Sequence, residues 1–142
     1  MYRYSWRANR SDLSEDQIMT FTKPFLALSV LAVLAVPAAA GDAAKGETIA
    51  KKCMACHSLK DAANKVGPSL VGVVGRAIAT AAGYKYSDDM KAYAANGAWD
   101  EAKLSAYIEN PKAIVPKGKM AFAGIKDATE RADLIAYLAT LK

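Results

Sequence analysis

The sequence predicts an all-α domain of about four to five helices whose long loops wrap a large bound group. Three observations carry this reading. After Gly41 the regular stretches repeat their apolar residues at helical spacing, and no strand-like alternation is visible. A long region, His57 to about Tyr86, is punctuated by glycine and proline, and structureless stretches of that length are uncommon unless they wrap something. The only two cysteines and the only histidine, Cys53, Cys56 and His57, sit within five residues of one another.

The elements follow in order. A first helix is expected over roughly Ala43 to Met54, with Asp42 as N-cap. Gly46 shares a face there with Ile49, Ala50 and Cys53. A glycine inside a helix costs roughly 1 kcal/mol against alanine, so close approach of another helix is the expected reason for it. Gly67-Pro68, Gly72, Gly75 and Gly83 then mark turns. A short helix is expected around Asp88 to Ala95. Another spans Asp100, its N-cap, to Asn110, with Leu104, Tyr107 and Ile108 facing inward and Pro111 ending it. A loop from Lys112 to Ile125 leads to the last helix. Asp127-Ala-Thr-Glu130 has the form of a capping box, and Leu134, Tyr137, Leu138 and Leu141 form the apolar stripe behind it.

Residues 1–40 stand apart from this pattern. Lys23, the apolar run Phe25 to Val36, Pro37 and then Ala38-Ala39-Ala40 read as an export signal with a small-residue cleavage site. The alternative is a retained membrane anchor facing the periplasm. Pro24 to Ala40 is 17 residues, the lower edge of the roughly 17–25 that span a bilayer, and it contains a proline. Cleavage between Ala40 and Gly41 is the expectation. Residues 1–18 carry Asp12, Glu15 and Asp16 and fit neither reading. Met19 opens a better-formed signal, 19–40, which leaves 1–18 as a disordered extension or a misassigned start. The remaining domain, 41–142, is 102 residues with 15 Lys plus Arg and 11 Asp plus Glu, about +4 net. A chain of that size has limited room for an apolar core, and a large buried cofactor helps supply one.

Cys53-Met-Ala-Cys56-His57 is the Cys-x-x-Cys-His attachment signature of c-type haem. On a helical turn Cys53 and Cys56 face the same way, and His57, four after Cys53, shares that face. Two thiolates can then add to the two vinyl groups along one porphyrin edge while the imidazole reaches the iron. A zinc site wants about four ligands, and only three are crowded here. A thioredoxin-type dithiol belongs beside a βαβ pattern that is missing. A plain disulfide leaves His57 and the glycine-rich region unexplained. For a second axial ligand, 41–142 offers Met54, Met90 and Met120 and no other histidine. Met54 lies inside the attachment turn and Met90 in a helix, where methionine is ordinarily packing. The loop position of Met120 and elimination favour it.

On these residues the chain resembles the class I c-type cytochromes, in particular the small bacterial periplasmic members close to mitochondrial cytochrome c. The anchors are Cys53 to His57, Gly67-Pro-Ser-Leu-Val-Gly-Val-Val-Gly-Arg76, Gly83-Tyr-Lys-Tyr86, Trp99, Tyr107 to Pro111, Met120-Ala-Phe-Ala-Gly-Ile125 and Asp133-Leu-Ile-Ala-Tyr-Leu138. The resemblance implies the class I cytochrome c fold around one haem c, covalent through Cys53 and Cys56, with His57 and Met120 as axial ligands. It implies that the Pro68 carbonyl accepts from the free ring nitrogen of His57. It implies that Arg76, Tyr86 and Trp99 meet the propionates, that Tyr107 lies near the Met120 sulfur, and that Gly46 lets the first helix cross the last against Tyr137. Without the resemblance, Trp99 and Tyr107 read as core and Arg76 as a surface charge. Three departures bear on these roles. Ala50 stands where an aromatic is usual, so the helix crossing is expected to be less well filled unless Ile49 compensates. Lys117-Gly118 replaces Gly-Thr, and Ala79 replaces a loop glycine, so that turn is expected to differ. About two residues are also inserted between Tyr86 and Trp99.

The function implied is that of a single-haem electron carrier, its iron cycling between Fe(II) and Fe(III), rather than an enzyme. His/Met ligation leaves no open site and raises the potential. The alternative is a haem peroxidase or gas-binding sensor with an open iron, which would want a distal histidine or an acid–base pair. The partners expected are membrane redox complexes: a quinol–cytochrome complex, an oxidase or a reaction centre. A lysine face of Lys52, Lys65, Lys112, Lys119 and Lys126 would meet them. No nucleic-acid partner is expected, the protein is expected to be a monomer, and its place is the periplasm.

Overall fold

The structure is a computed structural model and describes residues 41–142; the export signal, its alternative as an anchor and residues 1–18 lie outside the described residues. Among the described residues five α-helices occur in the order α1 (Ala43–Ala50), α2 (Asp88–Tyr93), α3 (Glu101–Glu109), α4 (Pro111–Ile114) and α5 (Ala128–Thr140), with a 3₁₀ turn at Ala94–Asn96. Among the described residues there is no strand, only an isolated antiparallel bridge between Ala77 and Ala98.

Asp42 caps α1, its Oδ1 accepting from the N–H groups of Ala44 (3.0 Å) and Lys45 (3.2 Å). The helix is shorter than its sequence pattern suggests. It ends at Ala50 rather than near Met54. From there the N–H groups of Lys52 and Cys53 bond three residues back, to Ile49 and Ala50, which tightens the chain out of the α geometry. A Cβ at Gly46 would stand 2.0 Å from the Asp133 carbonyl oxygen and 2.8 Å from Tyr137 Cβ, so α1 crosses α5 backbone to backbone. That is the close approach Gly46 called for. Ala50 is wholly buried, and Ile49 packs half-buried against the core.

No helix lies between Ala50 and Asp88. Side chains hold this stretch instead. Asn64 Nδ2 donates to Ala82 O (2.7 Å), Tyr84 Oη to Val66 O (3.0 Å) and Ser69 Oγ to Asp61 O (2.5 Å). The turn at Ala79 does not depart from a glycine turn as its sequence suggested. Ala79 takes φ +62°, the left-handed backbone a glycine would adopt, at a steric cost.

Asp100 caps α3 through Lys103 N–H (2.7 Å), and Leu104 and Ile108 are buried on its inner face. Pro111 does not simply end the helix. It opens α4, where its fixed φ and missing N–H suit the first position, and Asn110 caps this short helix through Ala113 N–H (3.3 Å). The loop expected from Lys112 therefore begins only at Val115. Asp127 caps α5 through Glu130 N–H (2.8 Å). The reciprocal half of the capping box is replaced, because the Glu130 carboxylate reaches Lys52 Nζ at 3.4 Å. The α5 stripe is wider than its leucines: Arg131, Asp133 and Ile135 are buried with Leu134 and Leu138.

Candidate functional site

Cys53 to His57 form a single turn of their own beyond α1. Cys53 O accepts from both Cys56 N–H (3.1 Å) and His57 N–H (2.9 Å), which puts the two thiols and the ring on one side. Both thiols are free. Burial pushes the Cys53 thiol up from its ordinary range, with Lys52 opposing; Cys56 is exposed.

His57 is fixed from two directions. Its Nδ1 lies 2.7 Å from Pro68 O. A carbonyl only accepts, so the proton is assigned to Nδ1, and Nε2 keeps its lone pair. The ring also lies flat on Gly67, where a Cβ would come within 2.4 Å of Cε1. Burial holds the imidazole below its ordinary range, and the Pro68 carbonyl pulls the other way.

These groups open into a cavity of about 250 Å³. All nine site residues expected from the sequence line it: Cys53, Cys56, His57, Pro68, Arg76, Tyr86, Trp99, Tyr107 and Met120. Leu70, Val73, Leu104, Ile108, Phe122 and Leu134 supply much of the remaining apolar wall. Met90 also lines the cavity, from within α2, and is buried.

Arg76 is not a free surface charge. It is half-buried, and its Nη1 and Nη2 donate to the carbonyls of Val71 (3.2 Å) and Ser69 (2.9 Å), so part of its donor capacity serves its own loop. Tyr86 Oη accepts from Ala81 N–H (3.2 Å), and its ring meets Tyr84 edge-on at 4.8 Å. Trp99 is buried between Tyr93 and Tyr107, with ring centroids 5.8 Å and 5.2 Å away. Burial, with Tyr84 and Tyr86 adding to it, pushes the Tyr107 phenol up to about 12, so its hydroxyl keeps its proton at neutral pH.

Met120 sits half-buried in the segment between α4 and α5. That segment is tied down at its start: Lys117 N–H donates to Asp89 Oδ2 (3.0 Å) and Lys119 Nζ to Lys85 O (2.6 Å). Gly118 is buried there, and a Cβ would come within 3.0 Å of Val115 O, which suits the glycine found in place of the usual threonine.

Of the five lysines expected to form a face, Lys52 and Lys119 reach the cavity wall; Lys65, Lys112 and Lys126 do not. Lys65, Lys112, Lys119 and Lys126 each donate to a backbone carbonyl, which leaves their charge unneutralised, whereas Lys52 pairs with Glu130. Sequence reasoning missed Val66, which is 76% exposed yet lines the cavity and so marks its lip. It also missed Arg131, whose signal was a charge at the head of the Leu134, Ile135 and Leu138 stripe.

The residues fit haem c. Two free thiols share the side of a histidine whose Nδ1 is already satisfied, and an apolar cavity opens beyond them with a methionine in its wall. The comparisons agree. The family model for cytochrome c matches residues 43–142. Cytochrome c2 of Blastochloris viridis is 48% identical over 112 residues, covering 78% of this chain and 87% of that protein. Cytochrome c2 of Rhodomicrobium vannielii is 48% identical over 103 residues, 72% of this chain and 81% of that one. The solved ferricytochrome c2 of Rhodopseudomonas palustris superposes with a TM-score of 0.64 at 37% identity, over 71% of this chain and 99% of that one.

Proposed function

The chain belongs to the cytochrome c family, and from that premise we propose that Cys53 and Cys56 hold one haem c by thioether bonds, with His57 and Met120 as its axial ligands. The fold is that of the class I cytochromes c, and the protein is a single-haem electron carrier. The observation that carries the site assignment is the His57–Pro68 bond at 2.7 Å, on the wall of a cavity that also contains both thiols and Met120.

Haem c supplies an iron that cycles between Fe(II) and Fe(III) one electron at a time. The chain's own residues keep that exchange inexpensive in reorganisation. Pro68 and Gly67 lock the imidazole in one tautomer and one orientation. Tyr107 keeps a neutral hydroxyl in the wall. The apolar wall excludes water, which lowers the local dielectric and favours the lesser-charged state of the site. Arg76, Tyr86 and Trp99 stand to receive the propionates. With His57 and Met120 both holding the iron, no position would be left for a substrate, and we read the protein as a carrier and not a catalyst. The one histidine of the chain is His57, so a distal histidine of peroxidase type is missing.

The rest of the reading follows from this role. Residues 41–142 are the working domain, and 19–40 direct export to the periplasm. A monomer docks on membrane redox complexes by its cavity edge, where Lys52 and Lys119 stand and Val66 is exposed.

The test is purification of the protein from a host that attaches haem. The haem should resist acid–acetone extraction, and Cys53→Ser or Cys56→Ser should weaken or abolish attachment. The ferrous protein should not take up carbon monoxide near neutral pH. Full extraction of haem from the wild type, or ready carbon monoxide binding, overturns the assignment.

A further inference from the structure

The segment that carries Met120 is tied at its far end by a buried side chain, Arg131. Its side chain is only 10% exposed. Nη1 donates to the carbonyls of Ile125 (3.0 Å) and Lys126 (2.8 Å), and Nε donates to Ser105 Oγ (3.0 Å). Nη2 lies 3.3 Å from Glu109 Oε2. One guanidinium thus joins three pieces of chain: α5, on which it sits, the segment running from Met120, and the outer half of α3.

The backbone meets at the same place. Ile125 N–H donates to Ile108 O (3.0 Å), and Lys126 Nζ to Glu109 O (2.6 Å). The last carbonyls of α3 have no acceptor role within their own helix, and this segment satisfies two of them. Tyr107 and Ile108 of the same turn line the cavity. Arg131 therefore connects the Met120 segment to the wall that Met120 must face.

The stability of α5 alone does not account for this residue. A cation near a helix N-terminus opposes the macrodipole. A buried charge is also costly unless its donors are matched with good geometry. Both costs are met here by acceptors that lie in α3 and in the Met120 segment, not in α5.

We propose that Arg131 is a positioning residue for Met120: it anchors the 120–126 segment on α3 and so keeps the sulfur in place against competing ligands. The proposal rests on the reading of Met120 as an axial ligand. The anchors at the start of the segment, through Lys117 and Lys119, are exposed, whereas the bond from Arg131 to Ile125 O is buried. The buried anchor is the one water cannot replace when it is cut.

The experiment titrates exogenous imidazole into the ferric haem-loaded protein. Imidazole binds only molecules in which Met120 has left its position, so its apparent affinity follows the population of that state. Arg131→Met should tighten imidazole binding about tenfold. Asp133→Asn is the comparison: its carboxylate serves α1, accepting from Asp42 N–H (2.6 Å), and touches nothing in the Met120 segment. It should stay within about twofold of wild type even where its loss of thermal stability matches that of Arg131→Met. Equal affinities in the two variants overturn the proposal. Where Arg131→Met does not accumulate as folded, haem-loaded protein, Arg131→Lys replaces it. Lysine keeps the charge without the fork, so about threefold tightening is expected, and wild-type affinity overturns the proposal. Met120→Ala separates the two readings. A wild type that binds imidazole as tightly as Met120→Ala removes Met120 from the iron and overturns the site reading itself. A closed wild type with an unaltered Arg131 variant overturns only the role of Arg131.

Discussion

Gly46 in α1 and Asp133 in α5 meet so closely that a Cβ on residue 46 would lie 2.0 Å from the Asp133 carbonyl oxygen. The obstacle is backbone on both sides, so no rotamer change relieves it. Gly46→Val should destabilise the folded protein by about 3 kcal/mol, the upper part of the usual range for overpacking a tight core. The check is denaturant unfolding with the slope unchanged. A loss under roughly 1 kcal/mol would mean the crossing yields.

Ala79 holds φ +62°, which costs an L-residue with a Cβ roughly 1–2 kcal/mol. Ala79→Gly removes that strain and gives back part of it in unfolded-state entropy. A net stabilisation of about 1 kcal/mol is expected, seen as a rise in the denaturant midpoint. An unchanged or lower midpoint would show that this turn carries no strain.

Hydrogen bonds from backbone N–H groups hold the Asp42 carboxylate below its ordinary 3.8, chiefly that of Lys45, and Asp100 is lowered first by the Lys103 side chain. Both are depressed in the folded state, so their contribution is present above the ordinary value and lost as pH falls through the folded one. Stability should therefore fall as pH drops below the ordinary 3.8 and through the lower folded-state range. Asparagine caps about as well without titrating. The double variant Asp42→Asn, Asp100→Asn should show a flatter acid limb in thermal melts across that window.

Met120→Ala should open the iron, lower the potential and let carbon monoxide bind the ferrous form. Absorption spectra with and without carbon monoxide check the first and last effects, and a redox titration the second. A spectrum identical to wild type would remove Met120 from the iron.

Lys119 lines the cavity and donates only to a neutral carbonyl, so its charge is available to a partner. Lys119→Glu should slow electron transfer to an acidic redox partner and flatten its salt dependence, because such steering fades once the Debye length falls to roughly 8 Å. Lys142→Glu, which lies off the cavity wall, should do little. Stopped-flow rates across ionic strength decide it; equal effects at the two positions would leave only solubility as the role of these charges.

Where one residue's chemistry determines its place, the sequence was legible. Asp42, Asp100 and Asp127 are the caps their spacing suggested, and Gly46 lies at a crossing. Cys53 and His57 share one turn, and every expected site residue reaches one cavity. What failed depended on which of several available partners a residue takes, one of them, Lys52 for Glu130, far away in sequence. The helical pattern runs on past Ala50, but the chain tightens there. Pro111 both ends one helix and begins another, a choice made by Asn110 as cap. Glu130 is drawn from its capping box by Lys52. Arg131 drew no expectation because its acceptors, Ile125 O and Lys126 O, are backbone atoms that no side-chain pattern reveals.

The meeting of α1 with α5 also orders events in time. Asp42 and Asp133 are hydrogen-bonded across 91 positions, and Gly72 N–H finds its acceptor only at Leu141 O (2.8 Å). Leu134 and Leu138 form part of the cavity wall. A chain emerging from the ribosome N-terminus first presents Cys53 and Cys56 well before the helix that closes the pocket behind them exists. The thiols pass through an interval on an unfinished scaffold, and the arrival of residues 133–141 ends it by closing the wall behind them, with Cys56 still exposed.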